Sequence, residues 1–503
     1  MAKTCIVCGQ AAGSGEHVFP AALGGRRVNS GIYCPKHDNS YSGLVSEIAG
    51  QLDFFNAYLG VRPDHSSHLK TAFGEHTLTG ETVSISAKEI RFTKPRVISR
   101  TPVGEGEELH LGFPNQQSVK QFTKKMEDDG HEWTPLSKPS MRPYITGSIH
   151  HKRKFGGACG LGAIAYMTQT FFAQEFPEVA RSGALSDFIN YTQATAKVAA
   201  QGGCEQQPEE REEMIEARAA LAAALEPFGG KAPAWWDFSP PVGARANKFE
   251  FGHQVTVGID GSDGQIYGRV ALFSAFTFAM RLGTAPQGSA TREVTVDIDP
   301  LAEHPPHDIE KHQVFSAPGR VHVPENATEG LADALANGTQ QHAFANLLER
   351  MEEHQLLKLA RTMSKALAPC PTLSSLEARA LIEKELSQQP QQIWRMATFV
   401  VEGLKEKMVK GNLQAITPML DGLIAHDIQS VSGLSRQAEA TLTLAKAALT
   451  AQMEEDCAAG LLNEARITEL MGRGPGLHVV GQAVLAPVLL VLGESPHSNE
   501  VSG

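Results

Sequence analysis

Residues 5–38 read CIVCGQAAGSGEHVFPAALGGRRVNSGIYCPKHD, and this stretch decides how the N-terminal end of the chain folds. It opens on Cys5-x2-Cys8 and closes on Cys34-x2-His37, with 25 residues between the pairs. A tight turn across an x2 spacing places two soft ligands on one side of a metal ion. Two such turns close a tetrahedral site of the kind zinc takes. A small loop-rich segment draws its folding energy from such an ion. Four protein ligands leave no open position, so the Zn2+ expected on Cys5, Cys8, Cys34 and His37 is structural.

Chemistry-bearing residues fill the space between the pairs. Glu16 and His17 are adjacent, Pro20 follows three residues later, then Gly24–Gly25, Asn29, and Asp38 directly after the last ligand. This spacing resembles the HNH endonuclease family, in its zinc-stabilised branch with paired CxxC knuckles. The resemblance covers roughly residues 5–60, and a weaker similarity to the longer proteins that carry such modules extends through GHQVTV…LFSAF. It implies a ββα-metal fold and phosphodiester hydrolysis. It makes His17 the general base, a role suited to a side chain that titrates near neutrality. Glu16 becomes a ligand of a catalytic divalent ion, Mg2+ or Mn2+. Asn29 becomes the residue that holds the loop and orients the histidine. Asp38 becomes the second metal ligand, with Asn39 as its substitute. Two positions depart from the family pattern. His37 stands where a Cys is usual, and Asp38 where Asn or His is usual. Both changes are conservative, the second because a carboxylate is a hard ligand for Mg2+. Taken singly, Asn29 and Asp38 also suit a turn and a helix N-cap.

Cations near this segment are candidate phosphate contacts. Arg26 and Arg27 follow the glycine pair. Residues 88–154 hold 13 Lys/Arg against 8 Asp/Glu and end in His150-His151-Lys152-Arg153-Lys154. Lys152, Arg153 and Lys154 would position DNA by its backbone without reading its sequence, and a solvated surface is the plainer reading of such a run.

The chain is 503 residues long, with a formal net charge of −11, 42% hydrophobic and 20% charged residues. That length exceeds one ordinary core. The acidic balance argues against a basic coat over the whole surface, though a local basic cleft is compatible with it. Seven cysteines, three of them within the first 34 residues, point to a reducing compartment and a metal site instead of a disulfide framework. Cys159, Cys204, Cys370 and Cys457 are scattered. The N-terminus lacks an apolar leader, and the most apolar run, 478–492, is interrupted by Gln482 and Pro487 and is short for a membrane span. A cytoplasmic protein without membrane contact is expected.

The fold class expected is α+β and multidomain. Residues 1–62 form the zinc-pinned module, ending in apolar residues at helical spacing (Leu44, Ile48, Leu52, Phe55, Leu59). Residues 63–324 alternate short strands with helices: a hairpin over 76–86 turning at Gly80, helices over 160–176, 184–200 and 209–225, and strands flanking a turn at 260–264. Residues 325–503 are nearly all helix, punctuated by prolines, with a polar tail over 494–503. Gly160-Leu-Gly162-Ala-Ile-Ala165 matches a dinucleotide fingerprint in letters alone. No apolar strand precedes it, so close helix packing explains its small residues better. Trp235–Trp236 reads as a core plug.

The function expected is a metal-dependent HNH endonuclease that hydrolyses or nicks double-stranded DNA. The middle region would guide DNA, and the C-terminal helices would bind a protein partner or regulate. Antiviral defence or restriction is the biology that analogy suggests. The alternatives are a non-enzymatic zinc-binding module that contacts nucleic acid or protein, and an HNH-type ribonuclease.

Overall fold

A computed structural model describes residues 3–64, 69–77, 79–87, 90–104, 106–114, 116–132, 134, 149–153, 155–202, 212–237, 246–302, 310–317, 338–411, 414–425 and 434–493. Lys154, Cys204, the 324/325 boundary and the polar tail lie outside the described residues. The chain is mixed α and β, with several sheets and a helical C-terminal region. It divides into two compact units, Met1–Phe73 with Ile85–Glu89 and His151–Glu349, and Gly74–Ser84 with Ile90–His150 and Arg350–Gly503.

In chain order the elements begin with β1 (Glu16–His17), β2 (Val28–Asn29), α1 (Pro35–Ser40), α2 (Ser42–Gln51) and α3 (Asp53–Leu59). Next come β3 (Ala72–His76), β4 (Thr82–Ile85), β5 (Ile90–Phe92), β6 (Arg96–Val103), β7 (Gly106–Gly112), α4 (Gln116–Asp128) and β8 (Ile149–His150). They are followed by α5 (Gly157–Glu175), α6 (Pro177–Arg181), α7 (Ser186–Ala200), α8 (Glu212–Leu225) and β9 (Ala234–Trp236). The strands β10 (His253–Ile259), β11 (Gln265–Leu272), β12 (Phe276–Thr284), β13 (Arg292–Ile298) and β14 (Glu310–Phe315) come next. The C-terminal helices are α9 (Thr339–Leu367), α10 (Ser375–Ser387), α11 (Pro390–Lys410), α12 (Thr417–Leu423), α13 (Arg436–Ala458), α14 (Glu464–Met471) and α15 (Pro475–Gly493).

The first unit is built on a six-stranded antiparallel sheet ordered β14-β13-β10-β11-β12-β9. All seven residues of β10 are buried, as a central strand covered on both faces requires. The turn expected at 260–264 joins β10 to β11, where Gly264, at φ +73°, donates its N–H to the Asp260 carbonyl at 2.7 Å. Trp235 sits on the edge strand β9 and is buried, as a core plug should be. Helix α5 packs on this sheet. Gly268 of β11 has no Cβ, and a side chain there would collide with Thr168 of α5.

The apolar residues at helical spacing, Leu44 to Leu59, lie along two helices, α2 and α3. Leu52 leaves the helical region between them, at φ −103° and ψ 10°. The apolar set is nonetheless buried as its spacing implies, from Leu44 to Leu59. Gly60, left-handed at φ +79°, ends α3.

In the second unit, from Arg350 onward, the helices enclose a core of Ala360, Met363, Leu386, Val401, Leu449, Met453 and Val484. Ser374 and Glu377 form a reciprocal capping box that fixes the start of α10. The run 478–492 is helix α15, carrying Pro487 inside it. Among the described residues, no helix is long and apolar enough to cross a membrane.

Candidate functional site

Two tight turns build the metal-binding group. In the first, Gly9 at φ +71° donates its N–H to the Cys5 carbonyl, and the Cys5 N–H reaches Gln10 O at 2.7 Å. The second is the start of α1, where the His37 and Asp38 N–H groups both reach Cys34 O at 3.0 Å. The three Sγ atoms and one His37 nitrogen lie within 4.8 Å of one another. Cys5 Sγ is 3.6 Å and Cys34 Sγ 3.3 Å from His37 Nδ1, and Cys8 Sγ is 3.9 Å from Cys34 Sγ. A tetrahedral ion at ordinary Zn–S and Zn–N lengths places its ligand atoms about 3.5–3.8 Å apart. The group therefore fits a metal ion such as zinc, with Nδ1 of His37 as the ligating nitrogen. The His37 backbone N–H holds the Cys34 thiol below its usual pKa, which favours the thiolate that a metal needs. Burial pushes the His37 imidazole down, toward the neutral form that can ligate.

Between the two turns the chain makes two short strands and then a helix. Glu16 pairs with Asn29 and His17 with Val28 in an antiparallel hairpin, and α1 follows. Pro35 at the first helical position sets the start of α1, so Asp38 lies inside the helix and the N-cap is Cys34. The N-cap duty considered for Asp38 is thereby excluded.

The side chains of Glu16 and Asp38 meet within hydrogen-bonding reach. Tyr166 of α5 donates its hydroxyl to Glu16 Oε1 at 2.5 Å, and Ser14 donates to Asp38 Oδ2. Asp38 Oδ1 is buried without a hydrogen-bond partner. Burial first, and Asp38 second, push the Glu16 carboxyl up to about 8. Two carboxylates held together in a half-buried place, one with an orphaned oxygen, form a donor set that fits a hard cation such as Mg2+. That ion is commonly held by one or two carboxylates and otherwise by water and phosphate oxygens. Asn39 is exposed on α1. Asn29 holds its loop, its Oδ1 accepting the Gly31 N–H at 2.7 Å while its amide donates to Gln174.

His17 engages a different set of partners. Its Nε2 lies 3.1 Å from Asp64 Oδ2. Arg26 donates to Asp64 Oδ1 at 2.9 Å and to Arg62 O at 3.0 Å. Against burial, which alone would raise it, hydrogen bonds from Arg26 and His17 hold the Asp64 carboxyl below the usual range.

The expected phosphate contacts are largely engaged within the protein. The Arg26 side chain is 6% exposed and paired to Asp64. Arg27 lies 2.8 Å from Glu310 Oε2 and 3.6 Å from Glu175 Oε1. Arg153 makes a two-point contact with Asp53, at 2.7 and 3.2 Å to Oδ2. Lys152 is exposed.

Helices from far along the chain brace the segment that carries the Cys/His group. Tyr41 stacks on Tyr166 with ring centroids 4.4 Å apart. Gln169 donates to the hydroxyl of Tyr33 at 3.0 Å and to that of Tyr41 at 3.4 Å. Arg181 donates to the carbonyls of Thr4 at 3.0 Å and Gly31 at 2.5 Å. Tyr166, Asp64 and Ser14 escape a reading of the sequence. Ser14 and Asp64 stand in no motif spacing, and Tyr166 reaches Glu16 only through folding.

No protein-family model matches the chain, and no significant match joins it to a curated protein or to a solved structure.

Proposed function

We propose that the protein is a divalent-metal-dependent endonuclease with an HNH-type centre in residues 1–62, and that DNA is its substrate. The observation that carries this reading is the Glu16–Asp38 carboxylate pair. It is formed between the first strand of a two-stranded hairpin and the helix that follows, beside a Cys/His group that would hold a structural zinc. Bound there, Mg2+ or Mn2+ would neutralise charge on the scissile phosphate and the leaving oxygen.

The chain's own residues do the rest. Glu16 and Asp38 hold the cation, Tyr166 and Ser14 fix those carboxylates by hydrogen bonds, and Asn29 ties the hairpin's end. His17 takes a proton from the attacking water. The water oxygen bonds to phosphorus, the bond to the leaving oxygen breaks, and that oxygen takes a proton from solvent. The histidine then returns its proton to solvent. Lys152, outside the ion pairs described, is the cation of the basic run best placed to meet DNA. A role in antiviral defence or restriction, the cytoplasmic setting, DNA guidance by the middle of the chain and partner binding by the C-terminal helices belong to the same proposal.

One observation favours a second reading, a zinc-binding interaction module without catalysis: carboxylates of the protein itself engage Arg26, Arg27 and His17. Incubating supercoiled plasmid, and RNA in parallel, with wild type and His17→Ala in Mg2+ or Mn2+ separates the two. Metal-dependent nicking lost in the variant supports the nuclease. Intact plasmid and RNA throughout support the module.

A further inference from the structure

The side chain that meets His17 is a carboxylate from outside the hairpin. Asp64 lies four residues beyond Gly60, the glycine that ends α3. Its Oδ2 is 3.1 Å from His17 Nε2, and its Oδ1 accepts from Arg26 at 2.9 Å. Arg26 is fixed in turn by Arg62 O at 3.0 Å, and its side chain is 6% exposed. A relay thus runs from a backbone carbonyl through a buried guanidinium and a carboxylate to an imidazole. His17 and Asp64 remain 13% and 24% exposed, within reach of water.

We propose that Asp64 is a positioning residue for His17, fixing the imidazole as the tautomer protonated on Nε2. The proposal rests on the nuclease reading of the site. An ionised carboxylate only accepts hydrogen bonds, so Nε2 must be the donor in this pair. A neutral imidazole carries one N–H, and placing it on Nε2 leaves the lone pair on Nδ1. Nδ1 is then the atom that takes the proton of the attacking water. When it does, the ring becomes a cation and Asp64 stabilises it in place. Arg26 keeps Asp64 ionised and correctly turned, which assigns this arginine a task other than binding phosphate.

The test compares wild type, Asp64→Asn, Asp64→Glu and His17→Ala on supercoiled plasmid in Mg2+. Alongside it, the ring-nitrogen signals of His17 are recorded by long-range 15N NMR. In wild type, Nε2 should carry the proton. Asp64→Asn should lose at least about tenfold in kcat, a part of what a general base contributes, with KM for DNA within about twofold. Asp64→Glu should recover part of the rate. If Asp64→Asn keeps its kcat while wild type cuts and His17→Ala does not, this proposal fails and the nuclease reading stands. A proton on Nδ1 in wild type sinks it equally, and that readout holds even where the asparagine variant unfolds. If wild type cleaves nothing, the nuclease reading fails and takes this one with it.

Discussion

His253 shows how far the fate of one residue depends on its surroundings. In the sequence it is an isolated histidine. In the fold it is fully buried between the rings of Phe19, 5.1 Å away, and Phe273, 4.6 Å away, with Nδ1 accepting the Phe273 N–H at 3.3 Å. Burial pushes its imidazole down from the ordinary 6.5 to about 3. Between those values the unfolded chain binds a proton that the folded chain does not. Its contribution to stability is therefore complete above pH 6.5 and is lost as pH falls toward 3. The melting temperature should drop between pH 7 and pH 5, and His253→Phe should flatten that slope; an unchanged slope would show that His253 titrates normally. The knuckles were legible at this scale because an x2 spacing is itself the geometry of a two-ligand turn. Asp64 and Tyr166 were not, because each acquires its partner only by folding, Tyr166 from 150 positions along the chain.

Among elements, local pattern carried further. The apolar periodicity of 160–176 and 184–200 corresponds to α5 and α7; of the hairpin expected over 76–86, the second half is the strand β4, while the first strand, β3, lies earlier and reaches only His76. The helical spacing from Leu44 to Leu59 does not say where α2 ends and α3 begins, since the same buried residues satisfy one helix or two. The strand order of the six-stranded sheet was hidden, because pairing between β9 and β12 or between β10 and β13 is non-local. The fingerprint-like glycines of α5 are explained by packing. A Cβ at Gly162 would run into the side chain of Thr195 on α7, and one at Gly160 into Gln51 of α2, 2.8 Å from its Oε1. Overpacking of this kind costs about 1–3 kcal/mol. Gly162→Val should lower the denaturation midpoint accordingly and leave the zinc content alone. A variant as stable as wild type would mean that α5 and α7 are not closely packed.

Across the whole molecule, the chain forms two compact units. Residues 1–62 carry the metal-binding group, yet α5, α6 and the six-stranded sheet share their unit and supply Tyr166, Gln174, Arg181 and Glu310 to them. Zinc bound by such a site contributes folding energy, about 10–16 kcal/mol in isolated finger peptides. One zinc per chain is expected by elemental analysis. Cys34→Ser should release it and lower the melting temperature of this unit. Full thermal stability in a zinc-free Cys34→Ser protein would refute a structural role. The helical region from Arg350 onward has a core of its own.

Plasmid relaxation measures the central claim most directly. Supercoiled DNA is incubated with zinc-loaded wild type and with His17→Ala, each with Mg2+ or Mn2+ and again with excess chelator. A nuclease centred on Glu16, His17 and Asp38 predicts nicked or linear DNA from wild type with metal only, and a loss of about a hundredfold or more in the variant. Supercoiled DNA left intact by wild type under every metal, or cleaved equally by His17→Ala, would contradict it.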